Sequence, residues 1–280
     1  RDCIEDAGGW HTATLVEDLD LSYRAQMKGW KCVFLPDIVV DAELPVQMNA
    51  AKRQQFRWAK GSIQCAIKLL SDIAVKRKVG IETKIQAFIQ LTRHIVYPLM
   101  LIQFLALPIL LAGQVNLYVV SFLPAITLAT YLAMGPGAYI MIIQSMYHKS
   151  WKSKVKILPA LLVYNAGMSV NNTVAVFDAV LGKKNEFLRT PKYGIVKKND
   201  DWREKAYNLP FTQTTLLEIF FGVYGIMGIF ISIFSNNPIF VPIIGLQSIG
   251  FFYIAYMSLS HTRFKRNKSS NSRKMTKKEK

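Results

Sequence analysis

Four long apolar runs decide most of what this chain can fold into. They read IVYPLMLIQFLALPILLA (95–112), LYVVSFLPAITLATYLAM (117–134), TLLEIFFGVYGIMGIFISIF (215–234) and IFVPIIGLQSIGFFYIAYMSL (239–259). Each is close to the ~20 residues that a helix needs to cross a bilayer. Inside lipid the backbone must satisfy its own hydrogen bonds, which a helix does and an open strand does not. The chargeless turn GQVN joins the first two runs and SNNP the last two, so the pattern predicts two helical hairpins with short outer turns.

Charge gives the hairpins an orientation. Lys and Arg number 35 against 18 Asp and Glu, a formal net charge of +17. Such an excess suits nucleic acid or an anionic membrane surface. Its placement argues for the membrane and against nucleic acid, because much of it lies in blocks beside the apolar runs, at 76–78, 149–156, 183–203 and 263–280. Basic loops of this kind stay on the cytosolic side. The segment ILPALLVYNAGMSVNNTVAVFDAVL (157–181) is long enough to span, yet it carries Asn165, Asn171, Asn172 and Asp178 and has basic flanks on both sides. A single crossing would put one basic flank outside, so it reads as an interfacial or re-entrant helix. The expected membrane region is then 85–262, with spans at about 90–112, 116–135, 213–235 and 238–260, an interfacial helix at about 155–181, a basic loop at 183–203 and a cytosolic tail at 263–280. Five spans result if 157–181 crosses.

Residues 1–84 read differently, as the end of a soluble α/β domain. In TLVEDLDLSYRAQMKG, Thr14 and Glu17 have capping-box spacing, Leu21, Ala25 and Met27 supply apolar positions, and Gly29 is a stop signal. WKCVFLPDIVV offers two short β-rich runs split by Pro36 and Asp37, and a helical pattern resumes after Pro45. Cys3, Cys32 and Cys65 are odd in number and scattered, and the four histidines form no ligand cluster, so neither disulfides nor zinc are indicated. The chain begins at Arg1 without a Met or a leader and reads as the back portion of a longer protein.

Three stretches carry chemistry. VEDLDLSYR places Glu17, Asp18 and Asp20 at a helix start, where carboxylates also simply favour the macrodipole. A metal-binding D-x-D is disfavoured there, because residues two apart on a helix diverge by about 200°. QQFRW puts Gln54, Arg57 and Trp58 at i, i+3 and i+4, on one helix face. An amide, a guanidinium that can fork onto phosphate oxygens and an indole that can lie against a sugar ring suit glycosyl transfer. An interfacial Arg–Trp anchor is the plainer account. The third stretch is FLRTPK, Phe187 to Lys192.

Together these residues resemble the C-terminal half of a membrane-embedded family 2 glycosyltransferase of the cellulose synthase superfamily, with bacterial and mannan-synthase-like members nearest. VED stands for the family's T-E-D, with Val16 replacing Thr. The match implies a catalytic base at Asp18, with Glu17 beside it. Gln54, Arg57 and Trp58 complete its Q-x-x-R-W, on an interfacial helix touching donor diphosphate and acceptor sugar. FLRTPK resembles its F-x-V-T-x-K gating loop at Phe187, Thr190 and Lys192, with Arg189 replacing Val. The resemblance implies a GT-A-type α/β domain ending near residue 84, followed by the membrane region. It also implies Mg²⁺ or Mn²⁺, with ligands upstream of residue 1 and none in this stretch, which alone is expected to be inactive.

The implied reaction is inverting transfer of a hexose from a UDP- or GDP-linked sugar to a growing β-linked polysaccharide, processively, at the cytosolic face of the plasma (inner) membrane. A lipid acceptor with single transfer is the alternative among enzymes, and a transport or assembly subunit the alternative outside them. An export path would draw on residues such as Tyr97, Gln103, Tyr131 and Gln247, each of which also fits ordinary helix packing.

Overall fold

A computed structural model describes residues 1–35, 38–77, 79–114, 141–146, 150–184, 186–194 and 209–275. The described chain is helical: α1 (Asp2–Asp6), α2 (Glu17–Met27), α3 (Met48–Val75), α4 (Ile81–Thr92), α5 (Val96–Ala112), α6 (Leu158–Val180), α7 (Thr214–Phe234) and α8 (Val241–Met275), with a 3₁₀ turn at Arg93–Ile95. It divides into two compact units. The first holds 1–46, 50–95 and 171–207, the second 47–49, 96–170 and 208–280.

In the first unit α2 and α4 close on α3. Val16, Tyr23, Cys65, Ala66, Leu69, Ile73, Ala87 and Leu91 form one buried cluster, and Ile63 of α3 packs with Val176 and Ala179 of α6 in another. The end of α2 follows the sequence. Gly29 adopts φ +99°, its N–H donates to the Gln26 carbonyl, and the Trp30 N–H reaches back to Ala25 at 3.2 Å, a Schellman ending that a Cβ would strain. The start of α2 differs from expectation. The N-cap is Val16 and no side chain caps the helix, so the Thr14–Glu17 capping box is not formed. Thr14 is instead buried with its Oγ1 lacking a hydrogen-bond partner among the described residues, and on α3 burial pushes the Cys65 thiol pKa up to about 11.

The two expected strands are also absent among the described residues. Residues 31–35 and 38–40 are irregular, with Val33 and Phe34 79% and 86% exposed. A strand needs a neighbour for its alternate N–H and C=O groups, and β-propensity alone supplies none. Of the expected α/β domain end, only the helices are seen here.

The second unit is built from α5, α7, α8 and the first half of α6. Phe104, Leu107, Leu111, Val170, Ile243, Ile244 and Phe251 form its core, with Phe104 edge-on to Phe251 at 5.1 Å and to Tyr224 at 5.6 Å. Small residues let these helices approach closely, which matters where lipid provides no hydrophobic drive between them. A Cβ built on Gly167 of α6 would lie 2.1 Å from the carbonyl oxygen of Gly250 on α8, so the two backbones touch directly. Polar side chains knit the helix ends: Gln47 exchanges two hydrogen bonds with the Leu209 backbone, and the Met48 N–H donates to His261 Nδ1 at 3.0 Å.

Three described segments are long and apolar enough to cross a membrane: Ile81–Ala112, Thr214–Phe234 and Pro238–Thr262. They overlap the first, third and fourth expected spans, the first segment beginning nine residues earlier than expected. The second expected span, 116–135, lies outside the described residues. Helix α6 is not among the three. Its Asn171, Asn172 and Asp178 are buried, and Asn171 donates to the Lys52 carbonyl of α3 at 3.0 Å and to Asn172 at 3.1 Å. Of the residues considered for an export path, Gln103 and Gln247 are buried in the helix packing, and Tyr131 lies outside the described residues.

Candidate active site

Helix α3 is the platform. With 28 residues it presents Gln54, Arg57 and Trp58 on one face, Gln54 and Arg57 half-buried and Trp58 40% exposed. One turn further along the same face is Gly61. Val16 packs there so closely that a Cβ on Gly61 would meet its two methyls at 2.6 and 2.7 Å. The Leu15 N–H donates to Gln64 Oε1 at 3.0 Å. These two contacts seat the start of α2, and with it the VED stretch, beside the Gln54–Trp58 face.

The acidic residues of α2 separate in character. Glu17 is half-buried. Asp18 is exposed, accepting only the adjacent Leu19 N–H at 2.8 Å among the bonds seen. Asp20 is fully buried and accepts from Lys68 Nζ at 2.7 Å and Arg24 Nε at 2.8 Å, with His11 Nδ1 3.6 Å away. Arg24 continues to the carbonyls of Ala7 and, at 2.7 Å, Gly9. Burial alone would raise the Asp20 pKa, but the hydrogen bonds from Lys68 and Arg24 outweigh it and hold the carboxyl below the ordinary value. Asp20 thus fastens α2 to α3, while Asp18 stays open to an incoming molecule.

The third stretch reaches the same platform from the far side of the chain. Helix α6 ends in a second Schellman turn, with Gly182 at φ +64° and the Lys183 N–H bonded to Asp178 O. Buried Lys60 of α3 donates to the Lys183 carbonyl at 2.7 Å and lies 4.0 Å from Asp178, fixing where the following loop departs. Desolvation lowers the Lys60 pKa, with Asp178 opposing. The loop then lays Phe187 under Arg57, whose guanidinium carbon is 5.0 Å from the ring centroid. Thr190 Oγ1 and Arg57 Nε are enclosed without a hydrogen-bond partner.

Lys192 donates to the Glu43 carbonyl at 2.8 Å, and the Glu43 carboxylate accepts the N–H groups of Tyr193 at 2.5 Å and Gly194 at 3.2 Å. Glu43, Gly61, Gln64 and Lys60 had no signal in local sequence, since each matters through a partner distant along the chain.

The metal implied by the resemblance does not fit these residues. Among the described residues no three His, Cys, Asp or Glu side chains cluster as a metal site, and Asp20 is committed to two cations.

The sequence is matched by known proteins. The chain belongs to glycosyl transferase family group 2, whose model matches residues 1–136. Within that family it is of the cellulose synthase-like kind. It is 29% identical over 260 residues to probable glucomannan 4-beta-mannosyltransferase 10 of Arabidopsis thaliana, covering 89% of this chain and 44% of that protein. It is 30% identical to glucomannan 4-beta-mannosyltransferase 1 of Oryza sativa subsp. japonica, over 68% of this chain and 35% of the relative. Against glucomannan 4-beta-mannosyltransferase 9 of Arabidopsis thaliana it is 26% identical over 90% of this chain and 47% of the relative. The chain therefore spans less than half the length of these relatives. No solved structure matches it.

Proposed function

We propose that this chain is the acceptor-side and membrane part of an inverting glycosyltransferase that extends a β-linked polysaccharide from a nucleotide-diphosphate sugar. Family membership supports transfer, and the relatives' names favour mannose as the sugar and a β-1,4-linked mannan or glucomannan as the product. The observation that carries the reading is the convergence of three stretches on α3: VED through Val16 on Gly61, the Gln54–Arg57–Trp58 face itself, and Phe187 against Arg57.

In this reading Asp18 removes the proton of the acceptor hydroxyl as that oxygen attacks the anomeric carbon. The sugar configuration inverts in one displacement, and the leaving nucleoside diphosphate departs on the opposite side. Arg57 faces the charge that grows on the leaving diphosphate, with Gln54 donating beside it and Lys192 reaching it from the loop. Trp58, partly exposed, offers its indole face to the acceptor ring and keeps the nucleophilic hydroxyl in line. The three apolar segments support work at a membrane, with the basic loops on the cytosolic side.

The test is incubation of the full-length protein in membrane vesicles with radiolabelled UDP- and GDP-sugars, followed by sizing of the product. Incorporation of mannose into a polymer cleaved by an endo-β-mannanase is the expected result. Transfer of one sugar to lipid would move the reading to a lipid acceptor, and no transfer from any donor would overturn it.

A further inference from the structure

The loop after α6 displays an anion-binding set whose anion is supplied by the protein. Two successive backbone N–H groups, of Tyr193 and Gly194, converge on Glu43 Oε1, and Gly194 has φ +62°, a left-handed conformation of the kind that turns neighbouring amides to one side. Lys192 Nζ is held 2.8 Å from the Glu43 carbonyl, so one of the loop's cations is occupied by the same residue. Nearby in the loop, Thr190 Oγ1 is enclosed without a partner. A lysine, paired amides and a hydroxyl are the donors that a phosphate group takes.

We propose that Glu43 is an internal stand-in for a phosphate, a displaceable latch that holds the 187–194 loop in its resting position until a nucleoside diphosphate takes over its donors. The inference rests on the donor reading above. Glu43 itself would not touch the reacting atoms. It sets the cost of recruiting the loop amides, because a ligand must first displace a carboxylate already bonded to them, while Lys192 has only to leave the Glu43 main-chain carbonyl. Glu43→Gln keeps the length and one acceptor oxygen but removes the charge, weakening the latch without deleting the contact.

The experiment uses full-length protein in detergent and compares wild type with Glu43→Gln. One readout is amide hydrogen exchange at Tyr193 and Gly194 without nucleotide, and the other is the Kd for GDP and for UDP. Exchange at those two amides should rise by about tenfold, and the Kd of the nucleotide that binds should fall by about tenfold, the scale of one charge-assisted hydrogen bond. An unchanged or weaker affinity in the variant, while wild type binds, would make Glu43 a plain support of the loop and overturn the latch alone. Unchanged exchange would also overturn it. Binding of neither nucleotide to either form would sink the donor reading and the latch with it.

Discussion

The guanidinium of Arg57 stands 5.0 Å above the ring centroid of Phe187, a residue 130 positions later in the chain. The contact joins two stretches whose pairing no local pattern announces. A cation over an exposed ring contributes about 0.5 to 1 kcal/mol. Phe187→Leu, which keeps apolar bulk but loses the ring, should therefore lower kcat/KM by roughly two- to fivefold, while Phe187→Tyr stays near wild type. Steady-state kinetics at limiting donor checks this, and a Leu variant equal to wild type would show that only bulk matters.

Asp18 and Asp20 should fail differently. Asp18→Asn is expected to lose about 10² to 10⁴ in rate while folding normally, as removal of a general base does. Asp20→Asn leaves Lys68 and Arg24 facing a neutral amide in a buried place, and should destabilise the protein by about 3 kcal/mol. Denaturant melts and turnover measured on both variants separate the roles. If Asp18→Asn keeps more than about a tenth of the rate, Asp18 is not the base.

Acid should release the same anchor. The Asp20 pKa is lower in the folded protein than in the unfolded chain, so its contribution is fully present above the ordinary aspartate value of about 3.9 and is lost as pH falls through the lower folded value. Thermal stability followed from pH 6 to pH 2 should thus fall more steeply in wild type than in Asp20→Asn. Parallel curves would remove Asp20 from the account.

The seat of VED on α3 can be tested by crowding it. Gly61→Ala forces a methyl against Val16 and should cost about 1 to 3 kcal/mol, with activity falling alongside. Adding Val16→Ala makes room, so the double variant should regain activity relative to Gly61→Ala. Additive losses would mean that the two residues do not share one contact.

In the second unit, Gly167→Ala meets the Gly250 backbone and cannot be relieved by turning a side chain. It should cost about 3 kcal/mol or more and give little folded protein in detergent. Gly245→Ala is the matched control, since among the described residues the new Cβ meets nothing outside its own helix closer than Ile229 Cδ1 at 3.9 Å. Replacing that helical glycine should be neutral or stabilise by roughly 0.5 to 1 kcal/mol. Size-exclusion profiles and melting of the two variants give the comparison.

The sequence by itself determined what depends on neighbours along the chain. The three described apolar runs near 20 residues became helices because each helix closes its own hydrogen bonds, the i, i+3, i+4 spacing put Gln54, Arg57 and Trp58 on one face, and Gly29 ended α2 where a left-handed residue was needed. Tertiary structure decided the rest. The runs either side of Pro36 and Asp37 read as strands, yet the described residues 31–35 and 38–40 are irregular, since a strand exists only when another pairs with it. Thr14 had capping spacing, but it is buried in the fold and does not cap α2. The alternation of Asp18 exposed and Asp20 buried follows helical geometry, while which of the two faces inward was set by Lys68 on α3. Glu43 meets Tyr193 across 150 residues, and no periodicity reaches that far, because such a contact is fixed by how packed helices carry their loops together.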